Sequence, residues 1–370
     1  MKMKAGGMRR SIVVMCVSLL ASCSNAIDEA SVPDALSVGS LERVFVSTNR
    51  SMEQDGSFGI NRSDSLSYLD IAVSVPPNRK VGEVTTGGPR ANPEKDFVIA
   101  RREVFPTSNA FASELGATLG ARSPGHREVT VFVHGYNSGF SEAVFRAAQL
   151  KYDLGLPGEM IAFAWPSRGS AFGYEYDKDS VLAGRDALER LLINLDRSGI
   201  NNIVLVGHSM GAFLVMETLR QIDLKAPRWS AQTLSGVALI SPDIDIDVFR
   251  SQARRIKPLP QPFFIFSSTE DRVLRVAARL TGQPARLGNL SNVSEIQELP
   301  VTVIDVTAFS DDSDTTHFVA GSSPALIAMI GQARNMDANF LHGESGMSVL
   351  LPGANSSVDY ATQIILEPGR

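Results

Sequence analysis

The pentapeptide Gly207-His208-Ser209-Met210-Gly211 has the G-x-S-x-G spacing that presents a serine at a sharp turn between a strand and a helix. An apolar run over residues 203–206 ends at this turn, and a helical pattern begins at residue 210. Small residues on both sides of the serine avoid collisions with the adjoining strand and helix. The pattern predicts that Ser209 is a nucleophile for acyl transfer.

A serine nucleophile needs a histidine as general base, and the histidine needs a carboxylate that orients it. In this strand–turn–helix setting the chain order is serine, acid, histidine. Two histidines follow Ser209 in the sequence, His317 and His342. His317 lies in a polar loop between the last predicted strand and a helix, whereas His342 lies in the tail. We therefore expect His317 to be the base.

The acid has four candidates, each near the end of a predicted strand. Asp271 follows the strand over residues 263–267, and we favour it because sites in such sheets lie at the carboxyl ends of the strands. Asp243 follows the preceding strand and is the main alternative. Glu270 and Asp305 stay open as further candidates.

Two backbone amides are expected to stabilise the negative charge on the acyl oxygen. The strand over residues 131–133 runs into His134-Gly135, where enzymes with this elbow place an oxyanion donor. The amide of Tyr136 then faces the same oxygen as the amide of Met210, at the positive end of the helix after the serine. We interpret His134 and His208 as anchors of the two turns.

Short apolar runs alternate with helical patterns from residue 128 onward. Strands are predicted over residues 128–133, 160–164, 202–206, 236–240, 263–267 and 301–306. Helices are predicted over residues 141–154, 178–197, 210–222, 245–256, 272–280 and 324–335. This alternation predicts the α/β class, with a mostly parallel, doubly wound sheet.

The chain between residues 41 and 127 has a different pattern, with short apolar runs separated by Gly-, Pro- and Asn-rich turns. Strands are predicted over residues 43–46, 69–75 and 97–99, and we interpret them as N-terminal antiparallel strands of the same sheet. The catalytic domain is expected over residues 42–335. Residues 336–370 are expected to form a tail with an edge strand over 362–366.

The composition of the 370-residue chain limits its chemistry. Apolar residues make up 44% of it, enough for a full hydrophobic core. Its two cysteines, Cys16 and Cys23, exclude a cysteine-rich zinc site, an iron–sulfur cluster and a disulfide in the rest of the chain. A net charge of -5 argues against a nucleic-acid partner. We expect no metal and no cofactor.

The first 22 residues have the pattern of an export signal. Basic residues precede an apolar run over residues 11–21 that is too short to span a bilayer. Leu20-Ala21-Ser22-Cys23 resembles a bacterial lipobox, so we expect acylation of Cys23 as the first mature residue. A secretory signal without a lipid and a twin-arginine signal at Arg9-Arg10 are the alternatives. Residues 23–41 are predicted to be a flexible tether.

The lipobox also predicts a location. Ser24, rather than an aspartate, follows Cys23, which resembles the sorting signal for the outer membrane. We expect an exported bacterial lipoprotein whose acyl chains hold it at the periplasmic face of that membrane.

Several motifs together resemble a bacterial α/β-hydrolase family of unknown function with serine esterase- and lipase-like members. The similarity covers residues 43–335. The resemblance implies the α/β-hydrolase fold and a triad of Ser209, Asp271 and His317, but no defined substrate. The motifs are His134-Gly135-Tyr136-Asn137, residues 163–167 with Tyr176-Asp177, residues 207–211, 241–245, 271–274 and 286–288, and upstream residues 48–50 and 80–83.

The combined prediction is a serine hydrolase that cleaves a small carboxylic ester, with thioesters and amides as further substrate classes. The alternative is a non-catalytic envelope lipoprotein that uses the hydrolase fold as a binding scaffold. A scaffold is expected to have lost at least one residue of the triad, whereas Ser209, Asp271 and His317 are all present.

Overall fold

A computed structural model describes residues 29–170, 172–281, 286–310, 317–330 and 358–368. The strands of this part of the chain are β1 (Ser40–Met52), β2 (Phe58–Val75), β3 (Val98–Phe105), β4 (Val129–Val133), β5 (Glu159–Phe163), β6 (Ile203–His208), β7 (Leu234–Ile240), β8 (Phe263–Ser267), β9 (Thr302–Asp305) and β10 (Thr362–Ile365).

The helices of the described residues separate most of these strands. They are α1 (Ser108–Gly120), α2 (Phe140–Asp153), α3 (Tyr174–Arg197), α4 (Met210–Lys225), α5 (Trp229–Thr233), α6 (Ile246–Ala253), α7 (Arg272–Thr281) and α8 (Val319–Ser322). Residues 324–330 are also helical.

All ten strands form one sheet in the order β10-β9-β8-β7-β6-β4-β5-β1-β2-β3. Pairing is parallel from β10 to β1 and antiparallel between β1 and β2 and between β2 and β3. The predicted α/β class, with a mostly parallel sheet and N-terminal antiparallel strands, is confirmed. β1 differs in detail, because it joins the parallel part of the sheet through β5.

Helices cover both faces of the sheet. Side chains alternate between the faces along each strand, so Val131 and Val133 of β4 pack with Leu188 of α3 and Leu214 of α4 in one core. Phe132 points to the other core, which includes the apolar residues of α2 and α8. The strand ends at the top of β4, β6 and β8 therefore lie between two packed layers, where loops can be held in fixed positions.

Helix α1 was not predicted, since the sequence pattern indicated strands and turns up to residue 127. Its buried residues Phe111, Leu115 and Leu119 recur every four positions, as in an amphipathic helix. Thr107 caps its N-terminus by accepting a hydrogen bond from the amide of Ala110. The helix covers the antiparallel strands, whose true lengths also exceed the short runs that were predicted.

Part of the predicted tether over residues 23–41 is described by the structure, and this part packs against the sheet. Residues 33–37 form a 3-10 helix, and the Val32 amide donates to the Ile99 carbonyl at 2.8 Å. The carboxylate of Glu29 is buried and accepts from the Phe58 amide at 2.9 Å. Composition alone suggested flexibility, but burial of Ala35 and Glu29 against the sheet orders this segment.

The C-terminal segment adds the last strand of the sheet. β10 pairs in parallel with β9 and is exposed, at the position where an edge strand was predicted. Among the helices that the structure describes, none is long and apolar enough to cross a membrane.

Candidate active site

The candidate nucleophile lies on a tight turn between β6 and α4. Ser209 adopts φ 53° and ψ -122°, a conformation that costs an L-residue on the order of 1–3 kcal/mol. A Cβ on Gly207 would lie 2.7 Å from the Cα of Ala212, and one on Gly211 would collide with the backbone at the end of β4. The tight turn from β6 into α4 therefore requires Gly207, and the close approach of α4 to β4 requires Gly211.

A chain of hydrogen bonds joins the three predicted triad residues. Ser209 Oγ lies 2.8 Å from His317 Nε2, and His317 Nδ1 lies 2.8 Å from Asp271 Oδ2. The Asp271 side chain is fully buried, whereas that of His317 is 15% exposed. A neutral imidazole with its proton on Nδ1 donates to the carboxylate and accepts from the hydroxyl, which is the arrangement of nucleophile, base and orienting acid.

Local contacts fix the positions of Asp271 and His317. Asp271 directly precedes α7, and its Oδ1 accepts from the Leu274 amide at 3.0 Å, so the carboxylate also caps the helix. His208 Nε2 donates to the His317 carbonyl oxygen at 3.2 Å. Burial lowers the pKa of His208 well below its ordinary value, and the neutral ring holds the loop that carries the base.

The two backbone segments that carry the predicted oxyanion donors both lie next to Ser209. A Cβ on Gly135 would lie 2.9 Å from Ser209 Cβ and 2.7 Å from His208 Nδ1, so glycine lets the loop after β4 come this close. Tyr136 follows directly in that loop. Met210 is the first residue of α4, where the amide has no acceptor within the helix.

The loop after β4 is fixed by a buried carboxylate of α3. Asp177 Oδ2 accepts from the Asn137 amide at 3.2 Å and from the Ser167 hydroxyl at 2.6 Å. Ser167 Oγ in turn accepts from the Ser138 amide at 3.1 Å. Burial raises the pKa of Asp177, and the hydrogen bonds oppose that rise. No role for Asp177 was predicted from the sequence, because 40 residues separate it from Asn137.

The same loop is held from below by a buried arginine. Arg50, near the end of β1, is 1% exposed and donates to the Ser138 carbonyl at 2.8 Å and the Gly59 carbonyl at 3.1 Å. Burial lowers its pKa to about 10, so it keeps its charge at neutral pH.

His134 has a structural position. Its ring stacks on Trp165 at a centroid distance of 4.9 Å, and the Trp165 indole donates to the His134 carbonyl at 2.7 Å. Burial lowers the pKa of His134 to about 3. This neutral, stacked ring ties the end of β4 to the end of β5.

The other acid candidates contact different groups. Asp305 Oδ1 accepts from the Thr307 amide at 2.9 Å, and Glu270 pairs with Arg275 at 3.4 Å on the surface. Of the four candidates, Asp271 is the one whose carboxylate forms a hydrogen bond with His317.

Asp243 lines a cleft beside the serine instead. Its Oδ2 accepts from the Tyr174 hydroxyl at 2.9 Å, and its Oδ1 lies 3.3 Å from Arg286 Nε. Burial and the neighbouring carboxylate raise the pKa of Tyr174, so its hydroxyl remains a donor. The cleft has a volume of about 340 Å³ and is mainly apolar apart from these groups and Arg272; its other lining residues are Tyr136, Ser209, Val273, Leu274, Val276 and Ala277.

Some predicted residues lie outside the described part of the chain. These are His342, the lipobox with Cys23, and the polar loop over residues 311–316. Within the described residues, no group of three or more His, Cys, Asp or Glu side chains could hold a metal ion.

A serine on an elbow at the top of a parallel sheet, with a histidine and an aspartate from later loops, defines the α/β-hydrolase class. Residues 108–334, more than half of the chain, match the family described as "Alpha/beta hydrolase of unknown function (DUF900)". The chain belongs to this family. No curated protein matches the sequence.

Solved hydrolase structures resemble the chain at low identity. A predicted CIB-like hydrolase from Thermoplasma acidophilum is 14% identical, with a TM-score of 0.34 over 57% of this chain and 89% of that one. Lipase B from Aspergillus fumigatus is 12% identical, with a TM-score of 0.35 over 62% of this chain and 57% of that one. Naproxen esterase (carboxylesterase NP) from Bacillus subtilis is 10% identical, with a TM-score of 0.33 over 83% of this chain and 94% of that one.

Proposed function

We propose that the protein is a serine hydrolase that cleaves a carboxylic ester through an acyl-enzyme on Ser209. The observation that carries the proposal is the continuous hydrogen-bond chain from Ser209 through His317 to Asp271. Each contact in it has the length of a normal hydrogen bond. Chain order and geometry therefore support the same three roles.

In the first half of the reaction, Ser209 Oγ attacks the acyl carbon while His317 Nε2 takes the hydroxyl proton. Asp271 holds the imidazole through Nδ1 and stabilises the imidazolium. The amides of Tyr136 and Met210 stabilise the oxyanion, a contribution that is about 10²–10³ in rate per donor. The C–O bond to the alcohol then breaks, and His317 returns the proton to the departing oxygen.

Water completes the cycle. It attacks the acyl carbon, His317 accepts its proton, and the Ser209 oxygen leaves as a hydroxyl after reprotonation. The apolar side chains of α7 suit an aliphatic acyl group in the cleft beside Ser209. Thioesters and amides share this chemistry, and matched ester, thioester and amide substrates of one acyl chain rank the three classes.

A serine-directed fluorophosphonate probe tests the mechanism. We expect labelling of wild type, loss of labelling in Ser209→Ala, and a strong decrease in His317→Ala. His126→Ala is the matched control, because His126 is exposed and bonds only locally to Ser123. Labelling of Ser209→Ala, or unchanged labelling of His317→Ala, contradicts the mechanism. Folded wild type that is neither labelled nor active on esters favours the binding-scaffold alternative.

We further propose that the protein is a lipoprotein acylated on Cys23, supported by the lipobox residues before it. Several acyl chains are needed for stable anchoring, because a single chain binds membranes only marginally. In metabolic labelling with a fatty acid, Cys23→Ala is expected to lose the label and membrane association. Cys16→Ala is the matched control. Equal membrane association of wild type and Cys23→Ala contradicts the anchor.

The location within the envelope is a separate proposal. Ser24 after the lipidated cysteine supports sorting to the periplasmic face of an outer membrane. Ser24→Asp is expected to shift the protein to inner-membrane fractions in density-gradient separation. Inner-membrane retention of the wild type contradicts outer-membrane sorting and leaves the anchor and the catalytic proposal unaffected.

A further inference from the structure

A second cavity, of about 270 Å³, adjoins the elbow on the side away from the apolar cleft. We call it the polar cavity after the charged side chains in its wall, which also contains apolar residues such as Phe132. It borders the core under α2 and α8, which includes Phe132 and Phe318, whereas Tyr136 and Tyr174 of the apolar cleft pack against the opposite core. The side chains and backbone that matter here come from Gly135, Asn137, Glu142, Arg146, His208 and Phe318.

The polar cavity lies beside the groups that handle the proton. Gly135, in its wall, approaches Ser209 so closely that an added Cβ would lie 2.9 Å from Ser209 Cβ. The rings of His208 and His317 have centroids 5.0 Å apart. An alcohol that leaves the acyl carbon must receive its proton from His317, so the alcohol half of a substrate has to lie near this imidazole.

Arg146 and Glu142 place opposite charges one helical turn apart in the cavity wall. Arg146 Nη1 donates to the Gly82 carbonyl at 3.0 Å and to Gln149 Oε1 at 2.9 Å, and its guanidinium lies 4.8 Å from the Phe318 ring centroid. A guanidinium has five N–H donors, and these two bonds use one of its three nitrogens. Glu142 caps α2 through Oε2, which accepts from the Gly139 amide at 2.7 Å.

We propose that this polar cavity binds the alcohol half of the ester and that this half is a polyhydroxy group, such as a glycerol or a sugar. The inference rests on the proposed ester hydrolysis by Ser209. Hydroxyl groups both donate and accept hydrogen bonds. This matches the guanidinium of Arg146, the carboxylate of Glu142 and the side-chain amide of Asn137 in one wall. The adjacent negative charge of Glu142 disfavours an anionic alcohol, whereas a neutral polyol gains from both charges.

In the proposed reaction the two halves of the substrate occupy the apolar cleft and the polar cavity. The acyl group occupies the apolar cleft, and the C–O bond between acyl carbon and alcohol lies over Ser209. As Ser209 Oγ bonds to the acyl carbon, this C–O bond breaks. The proton first taken from Ser209 passes from His317 Nε2 to the alcohol oxygen, and the free polyol leaves from the polar cavity.

The test compares two esters that differ only in hydroxyl groups, 2,3-dihydroxypropyl butyrate and propyl butyrate. We expect wild-type kcat/KM to be at least about tenfold higher for the dihydroxypropyl ester, because one good hydrogen bond is worth about that factor. Arg146→Gln is expected to bring the ratio of the two values close to one. Arg255→Gln, an exposed arginine away from the site with the same change in charge, is expected to keep the wild-type ratio.

A second variant guards against a folding defect. Asn137→Gly removes the side-chain amide but keeps the positive φ of 57°, which glycine adopts freely. It is expected to lower the ratio of the two kcat/KM values as well. A ratio near one in active wild type overturns the polyol site, as does a still higher rate for a phosphorylated glyceryl ester. Failure of wild type to cleave either ester contradicts the ester hydrolysis itself, and the polyol site with it.

Discussion

The imidazole of His317 makes one hydrogen bond through each ring nitrogen, and the two bonds impose different requirements. The bond to Asp271 requires a proton on Nδ1, and the bond from Ser209 requires a lone pair on Nε2. One neutral tautomer satisfies both. The ring therefore cannot turn away without breaking both bonds, and the backbone carbonyl of His317 is held separately by His208.

This tautomer argument predicts the effect of Asp271→Asn. The amide nitrogen of asparagine can donate to Nδ1 and stabilise the tautomer that cannot accept the Ser209 proton, so kcat is expected to fall about 10⁴-fold. Steady-state hydrolysis of a chromogenic ester measures the loss. Asp305→Asn is the control, because its amide oxygen can still accept from the Thr307 amide. Equal losses in the two variants would refute the assignment of Asp271 as the acid.

At the level of single residues, the sequence predicted those whose positions follow from chain order. Ser209 sits in a local motif, and His317 and Asp271 follow from the order of strands and loops. Arg50 and Asp177 could not be found in this way. Arg50 is 88 residues from Ser138, and the packing of β1 beneath the loop, rather than any local pattern, brings the two together.

Between α4 and the end of β4 the fold depends on a backbone contact that leaves no room for a side chain. Gly211→Ala is expected to lower the free energy of unfolding by about 3 kcal/mol or more, since the new methyl group would meet backbone carbonyl oxygens that cannot move aside. Urea denaturation followed by circular dichroism measures the change.

Gly116→Ala in α1 is the matched control for Gly211→Ala. Nothing lies within 4 Å of the position of the new Cβ, so the alanine is expected to raise stability by about 0.5–1 kcal/mol through its higher helix propensity. Equal effects of the two substitutions would show that the close approach of α4 to β4 is unimportant.

The loop after β4 depends on β1 through Arg50. Arg50→Lys keeps the charge but cannot reach the Ser138 and Gly59 carbonyls with the same fork. We expect kcat to fall roughly tenfold with little change in KM, because a displaced Tyr136 amide weakens oxyanion stabilisation, which acts in the transition state. Arg62→Lys on β2, which loses contacts to Ser180 and the Tyr176 carbonyl, is the control; an equal loss of kcat in both contradicts a specific role.

Helices and strands were predictable where the apolar residues follow one regular spacing without interruption. β8 was predicted with its observed bounds, and α4 with its observed start, because apolar strands and a long amphipathic helix give clear signals. α1 was missed because its small residues, including Gly116 and Ala117, weaken the apolar pattern, and the Gly- and Pro-rich turns before it favoured strands. β1 and β2 extend beyond their apolar runs because each pairs with a long antiparallel neighbour.

On the scale of the whole molecule, residues 29–39, the described segment before β1, pack against the antiparallel edge of the sheet. Glu29 has a buried carboxylate that accepts from Phe58 and lies 3.6 Å from Arg102. Burial is the main cause that raises its pKa to about 7, and the Phe58 and Arg102 contacts oppose it. The folded state therefore binds a proton at this site that the unfolded chain, with an ordinary glutamate, has already released above pH 5.

The stability of the protein is therefore expected to depend on pH through Glu29. Its contribution is complete below about pH 4.5 and decreases as the pH rises through about 7, by on the order of 3 kcal/mol. The difference in unfolding free energy between wild type and Glu29→Gln, from urea denaturation at pH 5 and pH 8, isolates this effect from other groups. Wild type is expected to lose stability relative to the variant at the higher pH. A difference that stays constant, or changes in favour of wild type, would show that this segment does not bury a carboxyl group in solution.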